Sequence, residues 1–168
     1  AVGIDSLGNC VCAYELVEWD GQAYTTDIVF QRFTSSGVLL GPETVVNNTN
    51  FVGNQLTPAL AMNTSGSFVI TWDGPVPGGN GVEVLCRGFS ANGVALFLET
   101  RVNTYLTNNQ FAASVGMDNS GNFTVTWTSL QDNGGTLYAI YAQRYQAAGT
   151  KLGAEFKVNT TGGNHYFP

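Results

Sequence analysis

Acidic and aromatic side chains crowd one short stretch of the chain, where Glu15, Glu18, Trp19 and Asp20 lie within six residues. An aromatic plate beside carboxylates is the combination that sugar recognition uses, and the same oxygens could ligate Ca²⁺. These four residues form the candidate ligand-binding site. Paired carboxylates can also run glycoside hydrolysis, but neighbours in one loop are poorly placed to flank a sugar. One histidine, His165, leaves none over for a Ser or Cys triad or for a His-based metal site. Cys10, Cys12 and Cys86 lack metal-ligand spacing and read as small buried apolar residues. On this inventory the chain is expected not to be an enzyme. It has no catalytic residue and no metal residue to assign, and no cofactor is expected apart from Ca²⁺.

The elements that hold these side chains follow from composition. The chain has 168 residues, of which 43% are hydrophobic, 12% aromatic and only 11% charged. That charged share is under half the usual quarter, so the polar surface must be neutral. It is supplied by 21 Gly, 18 Thr and 16 Asn. Such a mixture favours strands joined by tight turns over helices. High aromatic content excludes disorder, and no apolar run is long enough for a membrane-spanning helix. The net charge is −6, from 6 cations and 12 acids. Five of those acids, Asp5, Glu15, Glu18, Asp20 and Asp27, precede the first cation, Arg32. Nucleic acid is excluded as a partner, because scattered cations give no basic footprint. Membrane insertion is not expected. The chain opens on Ala with no Met, and reads as a processed protein or a piece of a longer one.

Internal repeats organise the whole sequence. Ala1 to Glu15, Ala59 to Asp73 and Ser114 to Thr128 superpose without gaps. A second block recurs from Phe33 to Asn47, Phe89 to Asn103 and Tyr145 to Asn159. A third signal, Asn54-Gln-Leu-Thr-Pro58, returns as Asn109-Gln-Phe-Ala-Ala113 and Asn164-His-Tyr-Phe-Pro168. The single domain, 1–168, therefore divides into repeats 1–58, 59–113 and 114–168.

Each repeat predicts four strands. A short first strand meets an Asp-x-x-Gly turn, where the Asp caps the turn and Gly supplies positive φ. The second strand alternates with period two, as in Phe123-Thr-Val-Thr-Trp127. The third spans 28–33, 84–89 and 140–145, and the fourth ends near Val46, Val102 and Val158. Four antiparallel strands per repeat of about 55 residues describe a propeller blade. The expected fold is all-β, with three four-stranded, propeller-like blades forming half a propeller or part of a larger ring or array. A closed pseudo-threefold β-trefoil or β-prism is the alternative. Trp72 and Trp127, with Tyr14 in the third repeat position, are expected to pack between blades. Arg32 and Arg144 are expected to brace each blade through Glu43 and Glu155.

These repeats resemble a tandem repeat of large secreted or surface-attached bacterial proteins. The likeness rests on the pattern Asp-x-x-Gly-Asn-Phe-x-Val-x-Trp, then Ile-Tyr-Ala-Gln-Arg-Tyr, then Gly-x-Glu-Phe-x-Val-Asn. Repeat three carries it at 115–127, 140–145 and 149–159. Repeat one has Tyr14 for the Trp, and repeat two has Asn63 for the Asp and Arg87-Gly88 for Gln-Arg. The resemblance implies a propeller-like fold and a secreted or cell-surface location, and it assigns no catalytic residue.

Length variation locates the adaptable surface. It falls between the second and third strands and between the fourth strand and the next repeat. In an up-down meander both connections emerge at one end, where binding residues gather on a constant scaffold. The functional expectation is a non-catalytic extracellular or cell-surface module for assembly and adhesion, binding protein or surface. The alternative is a lectin-like, carbohydrate-binding domain that uses the variable loop face. Three open-ended blades would bare roughly 400 Å² on each outer face. Another copy of the chain is therefore an expected partner, closing a ring or adding head to tail, beside a glycan or surface protein.

Overall fold

The computed structural model describes residues 1–19, 21–47, 53–76, 78 and 81–168. They form twelve strands in three antiparallel sheets, with no helix among the described residues. The first sheet holds β1 (Val2–Ile4), β2 (Cys10–Trp19), β3 (Tyr24–Phe33) and β4 (Thr44–Val45) in that order. The second holds β5 (Leu56–Met62), β6 (Phe68–Gly74), β7 (Glu83–Phe89) and β8 (Thr100–Arg101). The third holds β9 (Gln110–Met117), β10 (Phe123–Asp132), β11 (Leu137–Tyr145) and β12 (Phe156–Lys157). β5 packs on β1 and β2, and β9 packs on β5 and β6. The sheets thus follow one another face to face as propeller-like blades.

The repeated residues explain the repeated geometry. Asp5 Oδ1 accepts the N–H groups of Leu7 and Asn9 at 2.8 and 2.9 Å. Asn63 does the same for Ser65 and Ser67. Gly8, Gly66 and Gly121 take φ values of 82°, 87° and 85° in these turns, where a Cβ would be strained. The closing Asn of each repeat fixes the third strand. Asn47, Asn103 and Asn159 accept the N–H of Ile28, Val84 and Ile140 at 2.8, 2.9 and 2.9 Å. Asn103 is fully buried and also donates to the Glu83 carboxylate and the Tyr105 carbonyl. Asn103→Ala orphans the buried Val84 N–H and Glu83, so it should destabilise by about 2 kcal/mol. The half-exposed Asn159→Ala should cost clearly less. Urea unfolding of the two variants checks this, and equal losses would refute it.

Two apolar cores lie between the blades. Val11, Ala13, Ile28 and Phe30 of the first blade meet Phe68, Ile70, Trp72, Leu85 and Phe89 of the second. Val69, Val84, Cys86 and Val102 of the second meet Phe123, Val125, Trp127 and Tyr145 of the third. Period-two alternation gives every blade one face for the blade before it and one for the blade after. Trp72 and Trp127 are fully buried at these interfaces, as expected from their recurrence. Tyr14 sits on the outward face of the first blade and is 39% exposed.

Two expectations need correcting. The blade brace is made by glutamine, because Gln31 and Gln143 donate to the carbonyls of Gly41 and Gly153 at 3.0 and 3.1 Å. Arg32 instead crosses to the second blade, donating to the Ala91 carbonyl at 2.8 Å. Cys86 is buried, but Cys10 and Cys12 are only half-buried, because they lie on the outward face of the first blade.

Candidate functional site

The β2–β3 and β4–β5 connections emerge at one end of the blades, as the meander requires, and the next repeat follows the same course. The sequence expectation set Glu15, Glu18, Trp19 and Asp20 in a loop there. The structure puts the first three on β2, which runs out as a hairpin with β3 to the pair Trp19–Tyr24. Strand alternation then separates them, with Glu15 and Trp19 on one face and Glu18 on the other. Asp20 lies outside the described residues. Trp19 and Tyr24 are 57% and 69% exposed, with ring centroids 4.9 Å apart. Glu15 Oε1 accepts the Thr57 N–H at 2.7 Å. Glu15, Glu18 and Trp19 therefore do not share one face. Among the described residues no group of three or more His, Cys, Asp or Glu is close enough to share a metal ion.

A different site is built where the first strand of each following repeat bulges. Thr57 and Ala112 adopt φ of 54° and 56°, in the left-handed region, and the strand register slips beside them. Such a bulge turns a backbone N–H out of the ladder, and that donor needs an acceptor. The residue after the Tyr14/Trp72/Trp127 position supplies it in every case. Glu15 accepts from Thr57, Asp73 Oδ2 from Ala112 at 2.8 Å, and Thr128 Oγ1 from Phe167 at 3.1 Å.

Asp73 is the one of the three that is both acidic and buried. Its Oδ2 also accepts the Thr57 hydroxyl at 2.5 Å, while Oδ1 has no hydrogen-bond partner. Burial pushes its carboxyl up to about 6, against the opposing pull of the Thr57, Ala112 and Ala113 hydrogen bonds. The carboxyl lines a cleft of 360 Å³ with Leu56, Val82, Asn109, Phe111 and Tyr138. Phe111 and Tyr138 meet edge to face at 5.8 Å, and Tyr138 continues to Tyr166 at 4.9 Å. The repeated Asn-Gln pair positions this wall. Asn109 Oδ1 accepts the Val82 N–H, and the Gln110 N–H donates to the Val82 carbonyl. Asn164 and His165 treat Tyr138 the same way, so His165 occupies a structural slot.

Chemically, the cleft offers aromatic surface beside a carboxyl that burial has pushed up to about 6. Sequence reading missed Asp73, although one signal was present. An oxygen acceptor follows the Tyr14/Trp72/Trp127 position in all three repeats.

No family model matches the sequence, and no curated protein matches it. A solved structure from the GH130 family of mannoside phosphorylases, which contains glycoside hydrolases that target β-1,2-mannosidic linkages in Candida mannan, aligns with a TM-score of 0.53. Identity is 12%, and the alignment covers 95% of this chain and 48% of that one. The chain thus spans about half the length of that structure. A glycosyl hydrolase from Bacteroides ovatus aligns at a TM-score of 0.34 with 9% identity, over 91% of this chain and 68% of that one, too weakly to speak for a common fold. The likeness to the GH130 structure corrects the expectation that the chain is not an enzyme, since nearly all of it follows a fold that carries glycoside chemistry there. That expectation searched for histidines and for acids adjacent in sequence. Burial pushes the Asp73 carboxyl up to about 6 with neither.

Proposed function

We propose that the chain is a carbohydrate-directed propeller segment that seats a neutral sugar in the cleft beside Asp73. The observation that carries this reading is the buried Asp73 carboxyl, with one unpartnered oxygen, walled by Phe111 and Tyr138. Aromatic faces take the C–H surface of a pyranose, and a carboxyl accepts its hydroxyls or donates to them. Among the described residues the cleft wall holds no cation, which favours neutral sugars over anionic ones. The fold shared with a GH130 structure supports glycans, β-1,2-linked mannosides among them, as the first ligands to try. The secreted or surface setting implied by the repeat resemblance would bring such a site to polymeric glycans, and adhesion would follow from binding them.

Calorimetry with mannosides and other neutral oligosaccharides tests the site, with chromatography of the same mixtures, with and without phosphate, reading any cleavage. Tyr138→Ala is expected to weaken binding roughly tenfold, about 1.4 kcal/mol. Trp19→Ala is expected to leave it unchanged. The reverse pattern would move the seat to the exposed Trp19–Tyr24 platform, and no binding at millimolar sugar would end the proposal.

A further inference from the structure

The three-blade arc has two outward faces, and the molecule's two internal interfaces show how such faces fit together. We infer that the outward faces of the first and third blades dock on each other between two copies of this chain, head to tail. This inference is independent of the sugar site.

The apolar part of the argument concerns the first blade. Val2 and Ile4 are 60% and 64% exposed. Their repeat counterparts Leu60, Met62, Val115 and Met117 pack against the inter-blade cores. Tyr14 is likewise the exposed member of a set whose other members, Trp72 and Trp127, are sealed. Roughly 400 Å² per face lies open. A ring of two copies would bury on the order of 1,600 Å² in all, the size of a standard specific interface.

The polar part is more particular, because two of the internal contacts have their counterparts on the outer faces. Arg32 of the first blade donates to the Ala91 carbonyl of the second. Arg144 holds that position in the third blade, exposed and lying over the Phe156 ring at 5.9 Å. The counterpart of Ala91 on the first blade is Ser35, in an exposed turn. Running the other way, Glu155 of the third blade accepts the Thr104 N–H of the second at 2.7 Å. Glu43 is its counterpart on the first blade, and Thr160 is the counterpart of Thr104 on the third; both are exposed. Docking would therefore pair Arg144 with the Ser35 carbonyl and the Thr160 N–H with Glu43.

The inner strands agree with this pairing. Asn164, His165 and Phe167 make towards Tyr138 and Thr128 the bonds that Asn109, Gln110 and Ala112 make towards Val82 and Asp73. The third blade thus repeats at this edge the bonding of the second.

The outer faces also lack something the inner ones have. Arg87 and Lys151 reach back to the carbonyls of Val46 and Val102 at 2.8 Å, where the first blade offers only Gln31 and Leu39. Association should accordingly be reversible, and weaker than the internal contacts.

Light scattering across a hundredfold concentration range is the test. The mass is expected to rise with concentration to at least twice 17.9 kDa. Ile4→Asp and Arg144→Glu, both at exposed sites, should each raise the dissociation constant tenfold or more. Mixing the two variants should restore a one-to-one pair, since one partner keeps an intact head and the other an intact tail. A monomer at every concentration overturns the inference. So does an oligomer that neither variant weakens, or a pair of variants that fail to complement.

Discussion

Trp72→Ala is expected to lower the free energy of unfolding by ~3–5 kcal/mol, the cost of emptying a large aromatic site in a core that cannot collapse. The ring is fully buried between the first two blades, among Phe68, Ile70 and Leu85 on its own blade and Ile28 and Phe30 across the interface. Part of the loss is polar. The Trp72 indole N–H donates to Gln55 Oε1 at 2.9 Å, and Gln55 is itself fully buried. Trp72→Phe keeps most of the volume but leaves that acceptor unpaired, at a cost of ~1–3 kcal/mol beyond the lost contacts. Trp127 supplies the internal control. Its indole N–H has no partner, because the corresponding Gln110 Oε1 accepts the Ser129 hydroxyl instead. Trp127→Phe removes an orphaned donor and should cost clearly less than Trp72→Phe. Chemical denaturation of the two Phe variants decides the matter, and equal losses would show that the Trp72–Gln55 bond adds nothing.

Asp73→Asn is expected to change how stability depends on pH, by up to about 3 kcal/mol across the transition. The folded carboxyl titrates at about 6 against an ordinary value of 3.8, with burial as the main cause. Folding therefore favours the protonated acid. That stabilisation is complete below the unfolded value and is lost as pH rises through the folded one. Asp5 and Asp118 work in the opposite sense, since hydrogen bonds within their turns hold them below the ordinary range. The wild type alone would blend the two trends, so the informative quantity is the gap between the Asn variant and the wild type. The variant's advantage should shrink steadily from about pH 7 to about pH 4. Parallel stability profiles would mean that Asp73 is better solvated than its surroundings indicate, and would weaken the case for the cleft.

The repeats made most of the architecture readable in advance. Asp5, Gly8 and their counterparts mark turns through chemistry that acts over four residues, and Phe123 to Trp127 declares its face by simple alternation. The closing Asn47, Asn103 and Asn159 stood out by recurrence, although their bond to the third strand needed coordinates. The hairpin tip did not read correctly. Val17, Trp19 and Tyr24 continue the strand pattern, but the length variation between the second and third strands marked the segment as a loop. The site was hidden for a different reason. Asp73 draws its character from burial beside the next repeat, and its aligned neighbours Glu15 and Thr128 differ from it in type. Local sequence carries the acceptor role of that position but not its surroundings, and the surroundings set the acidity.

The position after the buried ring is therefore a socket with a lenient scaffold duty. Its occupant has only to receive one N–H from the bulge that follows, and a long acid, a short acid and an alcohol all manage it. Duplicating such a repeat multiplies positions where reactivity can drift while the architecture stays satisfied. A single codon change there can introduce or remove an acid without asking the fold to be reinvented. Repeat arrays of this kind could in this way trial new chemistry in one blade while the neighbouring blades keep the molecule folded.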